Sequence, residues 1–189
     1  VAWIAWSLIL FVKNSVPVGR YGYSIGSFDN AQITGATISY YDVRGSSQVE
    51  IHKQVVDNGP LLADGRHAAA VTKSELTWSE TFDGTDACRV VAADVRYSVA
   101  VVLPRWTDPQ DGSLSLNLHW KEYFNFIIHH EGTHVWLNLA GIANVRLALL
   151  RSDCHNADAN ARAAWEENVR LNEEFDKRTS ERLEPLVIL

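Results

Sequence analysis

The stretch Phe124-Asn125-Phe126-Ile127-Ile128-His129-His130-Glu131-Gly132-Thr133-His134-Val135-Trp136-Leu137 decides how this chain is read. Apolar residues flank a short polar group on both sides. From about Leu118 to Arg151 there is no proline, and Trp120, Phe124, Ile127, Ile128, Val135 and Leu139 recur at helical spacing. That periodicity predicts a long buried helix, with Gly141 as a candidate break into two. His130, Glu131 and His134 form H-E-x-x-H. Side chains four apart share one face of a helix, so the two imidazoles can grip a single metal ion. The glutamate between them lies beside that face. A polar group inside an apolar helix needs a reason to be desolvated, and a metal supplies one. His129 points away from the pair and reads as a partly exposed helix residue. His119 reads the same way, as does His155, with His155 a reserve ligand. His52 and His67 carry no pattern.

Outward from the motif, the C-terminal side reads as a turn over Ser152–Asn156 and a last helix over about Ala157–Leu183, closed by Pro185. Trp165, Val169 and Phe175 are its inward candidates, and the acidic pairs Glu166-Glu167 and Glu173-Glu174 read as a solvated face. The N-terminal side is β-rich. Thr37–Val43 predicts a strand, Gln48–Val56 a short helix ending before Asn58-Gly59-Pro60, and Thr72–Phe82 a strand with one wet face. Val95, Tyr97, Val99, Val101 and Leu103 share one parity, predicting a strand with one apolar face that ends at Pro104. Strands first and helices last give an α+β domain and not an alternating parallel sheet.

At 189 residues the chain suits one well-packed domain. With 47% hydrophobic and 21% charged residues it has globular composition, which excludes disorder and collagen-like repeats. The 17 basic and 23 acidic side chains give a net charge of -6 without a basic cluster, which argues against a nucleic-acid partner. The uncharged run Val1–Val12, followed by Lys13, suits the apolar part of a signal peptide or a membrane-anchor remnant. Its competing reading is a buried element of the mature fold. Methionine is absent even at position 1, which reads as a processed chain or a piece of a longer one. Residues 1–28 are therefore expected to be signal or anchor and linker, with one domain over 29–189. Two cysteines, Cys88 and Cys154, predict a disulfide if the chain is exported and two buried thiols if it stays in the cytosol.

An ordered series of motifs spans residues 37–182. It runs through Tyr40-Tyr41-Asp42-Val43-Arg44-Gly45, Gly59-Pro60, Thr77-Trp78, Cys88 and Leu103-Pro104-Arg105-Trp106. It continues with Trp120, the His130–His134 core, Cys154 and Asn172-x-x-Phe175-Asp176-x-x-Thr179. In this series the chain resembles a bacterial family of predicted secreted zinc-dependent proteases, catalogued as a domain of unknown function. The resemblance implies a secreted or periplasmic protein with a zincin-like fold and a Zn2+ cofactor, acting on peptide or protein substrates.

The expected mechanism has His130 and His134 as zinc ligands and Glu131 as the general base toward a zinc-activated water. The family's tail continues Thr-x-His-Gly, whereas here it reads Thr179-Ser180-Glu181-Arg182. Glu181 is therefore the expected third ligand, with Asp176 as its supporting or alternative residue. Tyr123 and Arg178 are candidate oxyanion donors. The competing reading is an exported, non-catalytic binding or envelope-associated module, with membrane association through the apolar N-terminus.

Overall fold

The computed structural model describes residues 23–25 and 31–187, with side chains over 31–179. The Val1–Val12 segment, and with it the signal or anchor reading, lies outside the described residues. Strand β1 (Tyr23–Ile25) pairs antiparallel with β2 (Ala31–Ile33). The main sheet has three strands: β3 (Thr37–Val43), β4 (Val71–Phe82) and β5 (Val90–Trp106), in the order β3-β5-β4. Strand β5 runs parallel to β3, with Thr37 opposite Ala100, and antiparallel to β4, with Val71 opposite Val102. Helix α1 (Gln48–Asn58) makes the crossover from β3, its N-terminus capped by Ser47, which accepts from the Glu50 N–H. Two long helices follow, α2 (Leu114–Leu150) and α3 (Ala157–Val187). The fold is mixed α+β, as the residue pattern predicts.

Helix α2 has 37 residues and is therefore about 55 Å long. It starts at the Ser113 cap and is buried on more than one side, since the sheet covers one flank and α3 another. Val99, Val101 and Leu103 of β5 meet Trp120, Phe124, Ile127 and Ile128 of α2 in the main core. A second cluster joins Val90, Val145, Leu149, Ala157 and Ala161 at the far end of the α2–α3 pair. Beside it, Cys88 and Cys154 form a disulfide, and their backbones pair as well, Cys154 N–H donating to Cys88 C=O at 2.9 Å. The bridge ties the start of β5 to the turn between the long helices. Among the described residues no helix is long and apolar enough to cross a membrane.

Five expectations are corrected. Strand β5 does not stop at Pro104 but runs to Trp106. Its pairing with β4 ends at Val102, so Pro104 has a neighbour on the β3 side only, and a residue without an N–H is tolerated there. Tyr97 shares the apolar parity but stays 53% exposed, because parity sets direction and not cover. Val169 is likewise exposed, and Asn168 takes the inward position on α3. The backbone of α3 continues past Pro185 to Val187. Proline costs one hydrogen bond in this last stretch without ending the helix.

Gly141 does not break α2. It lets α3 come close: a Cβ at this position would lie 2.4 Å from Asn168 Cγ and 2.6 Å from its Oδ1. Gly141→Ala gains about 1 kcal/mol of helix propensity. Against this it overpacks a buried contact, at about 1–3 kcal/mol. A net loss of about 1 kcal/mol is expected, read as a lower denaturation midpoint at unchanged m-value.

Candidate metal centre

Three elements meet at the motif. Helix α2 presents His130, Glu131 and His134, helix α3 presents Asn172, Asp176 and Thr179, and Thr72 comes from the start of strand β4. The two helices run antiparallel. Moving down α2 from His134 to Asn138 and Gly141, the partners climb α3 from Asp176 and Asn172 to Asn168. The i, i+4 spacing of Asn168, Asn172 and Asp176, extended by Thr179, keeps all four on the face of α3 that meets α2.

The imidazole Nε2 atoms of His130 and His134 lie 3.1 Å apart. Asp176 Oδ1 is 2.8 Å from His134 Nε2 and 3.2 Å from His130 Nε2. His130, His134 and Asp176 thus form a group able to hold a metal ion. The other ring nitrogens are already engaged. Thr179 Oγ1 donates its hydrogen to the Phe175 carbonyl at 2.9 Å and therefore accepts from His130 Nδ1 at 3.3 Å. Asn172 Oδ1 accepts from His134 Nδ1 at 2.7 Å. With each Nδ1 facing its acceptor, each ring turns its Nε2 toward Asp176. Two imidazole nitrogens and a carboxylate oxygen this close need a positive charge among them, which a proton shared with Asp176 or a bound metal ion supplies. Nitrogen and carboxylate oxygen are the donors a divalent zinc ion accepts, and three of them leave one position for water or substrate.

Glu131 stands apart from the three ligand atoms. It is 4% exposed, and Thr72 Oγ1 donates to its Oε2 at 2.7 Å. Burial raises the Glu131 pKa above the usual carboxylate range, with the Thr72 hydrogen bond and the neighbouring imidazoles opposing it. Burial also pushes His134 down, yet Asp176 and Asn172 overcome it and the ring's pKa is raised. Asp176 shows the reverse balance, since half-burial pushes it up while the two imidazoles hold its carboxyl well below the usual range. Phe175 closes one side, its ring centroid 4.9 Å from that of His130 and 5.1 Å from that of His134.

The three residues open onto a cleft of about 670 Å³. One wall is α3 with Trp165, Val169 and Glu173, and the other is the segment from Leu62 to Ser74. His67, which had no pattern in the sequence, lines this cleft and donates from Nδ1 to the Gly59 carbonyl at 2.5 Å.

The expected site residues separate as follows. His130, Glu131, His134 and Asp176 come together, and the side chain of Glu181 lies outside those described. His155 sits in the Cys154 turn, beyond the other end of α2, roughly 24 Å of helix away from His134. Tyr123 lines a different, small cavity between α1 and α2, and Arg178 is exposed and donates to the Glu174 carbonyl, so neither lines the cleft. Sequence reasoning missed Thr72, Asn138 and Asn168, and gave Asn172 no role. The signal for the amides was present: Asn168 and Asn172, four apart, lie on the one face of the last helix that also carries Asp176.

No curated protein and no solved structure matches the chain. Residues 38–182, more than three quarters of its length, match one family. The chain belongs to the bacterial family described as "Bacterial protein of unknown function (DUF922)".

Proposed function

We propose that this protein is a zinc-dependent metallopeptidase that hydrolyses peptide bonds, with His130, His134 and Asp176 as ligands and Glu131 as general base. The observation that carries the reading is the convergence of two Nε2 lone pairs and one carboxylate oxygen beside a buried glutamate that is not part of the cluster. When bound, zinc supplies Lewis acidity, which makes a water nucleophile available at neutral pH and polarises a carbonyl. The residues do the rest. Thr72 holds Glu131 Oε2, so Oε1 takes the proton of the attacking water and returns it to the departing amine. Burial favours the protonated carboxyl, which helps Glu131 hold that proton between the two transfers. Thr179 and Asn172 orient the imidazoles. The open cleft that the cluster lines has room for part of a peptide chain.

Export belongs to the same reading. The Cys88–Cys154 bridge suits an oxidising compartment, secreted or periplasmic. Purified protein is expected to carry about one zinc by elemental analysis and to cleave members of an unstructured peptide library. Zinc bound without cleavage of any peptide would instead mark a non-catalytic binding module. Absence of zinc from protein refolded with it would end the metal reading.

A further inference from the structure

Beyond the ligands, α2 and α3 share a buried ladder of amides. Asn138 is 6% exposed and Asn168 only 3%. Asn168 Nδ2 donates to Asn138 Oδ1 at 3.0 Å, and Asn172 Nδ2 donates to the same oxygen at 3.2 Å. Asn172 Nδ2 also donates to the Asn168 backbone carbonyl at 2.9 Å. That last bond sets the direction of the whole ladder. A backbone carbonyl only accepts, so the nitrogen end of the Asn172 amide must face it, and both of its N–H groups are then in use. The oxygen end is left for His134, whose Nδ1 must carry the proton. His134 Nε2 consequently presents its lone pair to the place where His130 and Asp176 converge.

The ladder costs something to build. Asn168 Oδ1 is buried without a hydrogen-bond partner, packed against the bare Cα of Gly141. Turning the Asn168 amide over would set its oxygen against Asn138 Oδ1, two acceptors facing each other. Turning Asn138 as well would bring its nitrogen against that of Asn172. No single flip relieves the orphaned oxygen without breaking a bond nearer to His134. An unsatisfied buried acceptor is destabilising, so a packed core gains nothing from this arrangement that apolar side chains would not give it.

We propose that Asn172, anchored by the Asn168 carbonyl and by Asn138, is a positioning residue that locks the His134 ring in its metal-binding tautomer and orientation. The inference rests on the metallopeptidase reading for its purpose, and on the hydrogen-bond directions for its mechanism.

The test uses the full chain and two variants of similar size. Asn172→Leu removes the acceptor, and zinc affinity, measured by competition with a chromophoric chelator, is expected to fall roughly 10–100-fold. Asn172→Asp keeps an acceptor for Nδ1 but sets a carboxylate against the Asn168 carbonyl and Asn138 Oδ1. It is expected to lose thermal stability while retaining most of the affinity. A merely structural role would make affinity follow stability through both variants, and that result would overturn the proposal, as would wild-type affinity in Asn172→Leu.

A second readout needs no metal. In metal-free protein the His134 Nδ1–H is expected as a slowly exchanging downfield proton in nitrogen-edited NMR, lost in Asn172→Leu and kept in Asn172→Asp. Its absence from the wild type would sink the lock whether or not zinc binds. Its presence in a protein that binds no zinc would uphold the lock and remove the peptidase reading instead.

Discussion

Glu131→Gln is expected to retain one zinc and the wild-type fold while kcat falls by roughly 10²–10⁴, the usual worth of general acid–base assistance. At 1.36 kcal/mol per tenfold change this is about 3–5 kcal/mol of transition-state stabilisation. Retention of the fold follows from local geometry, because a glutamine carbonyl oxygen can still accept from Thr72 Oγ1 and the replacement is isosteric. Retention of zinc follows from the proposed ligand set, His130, His134 and Asp176, which leaves Glu131 outside it. The loss should appear in kcat and kcat/KM together and not in KM, since the proposed mechanism has Glu131 move a proton and not hold the substrate. Steady-state kinetics on one cleaved peptide, with metal content and a melting curve on the same samples, check all three parts. A glutamine variant as fast as the wild type would remove Glu131 from the mechanism. Loss of zinc along with activity would move Glu131 into the ligand set.

The motif and its helix were legible in the sequence because their signals are local. An i, i+4 histidine pair declares its geometry within five residues, and the apolar flanks from Phe124 to Leu137 declare the burial. Strand parity over Val99–Leu103 likewise anticipated which side of β5 enters the core. What failed was whatever depends on a distant neighbour. Pro104 reads as a strand end until β4 is seen to stop pairing two residues earlier. Gly141 reads as a helix break until Asn168 is seen to occupy the space a Cβ would fill. Thr72 gives no sign of serving Glu131, 59 residues further on, since a threonine at the start of a strand is ordinary there. Asn172 lay inside a quoted motif, yet only the antiparallel register of α2 and α3 shows that its amide meets an imidazole 38 positions earlier. Composition and periodicity anticipated the layers, and tertiary register assembled the site.

The identity of the third ligand carries the other large effect. Asp176→Ala is expected to strip zinc from the protein, costing more than the roughly 10–100-fold that a merely supporting residue is worth. Glu181→Ala is expected to leave metal content unchanged. Asp176 Oδ1 already lies within 3.2 Å of both Nε2 atoms, and its residue continues the face of α3 that carries Asn168 and Asn172. Position 181 is five residues further along an unbroken helix, about 140° around its axis from Asp176, so the two cannot address one ion from the same face.

The exchange has a signature in pH as well. Protons compete with zinc for the imidazoles, so affinity falls on acidification. Burial pushes the His134 pKa down and Asp176 helps to raise it past that effect, so in metal-free protein the wild-type ring should take up its proton at a higher pH than the ring of Asp176→Ala. Asp176→Ala removes that contribution, so its His134 should resist protonation to lower pH even though its zinc affinity is poor throughout. Zinc titrations across the acidic limb, run on both alanine variants beside the wild type, separate the roles. An empty Glu181→Ala protein next to a fully loaded Asp176→Ala protein would reverse the assignment and make Asp176 the support for a glutamate ligand.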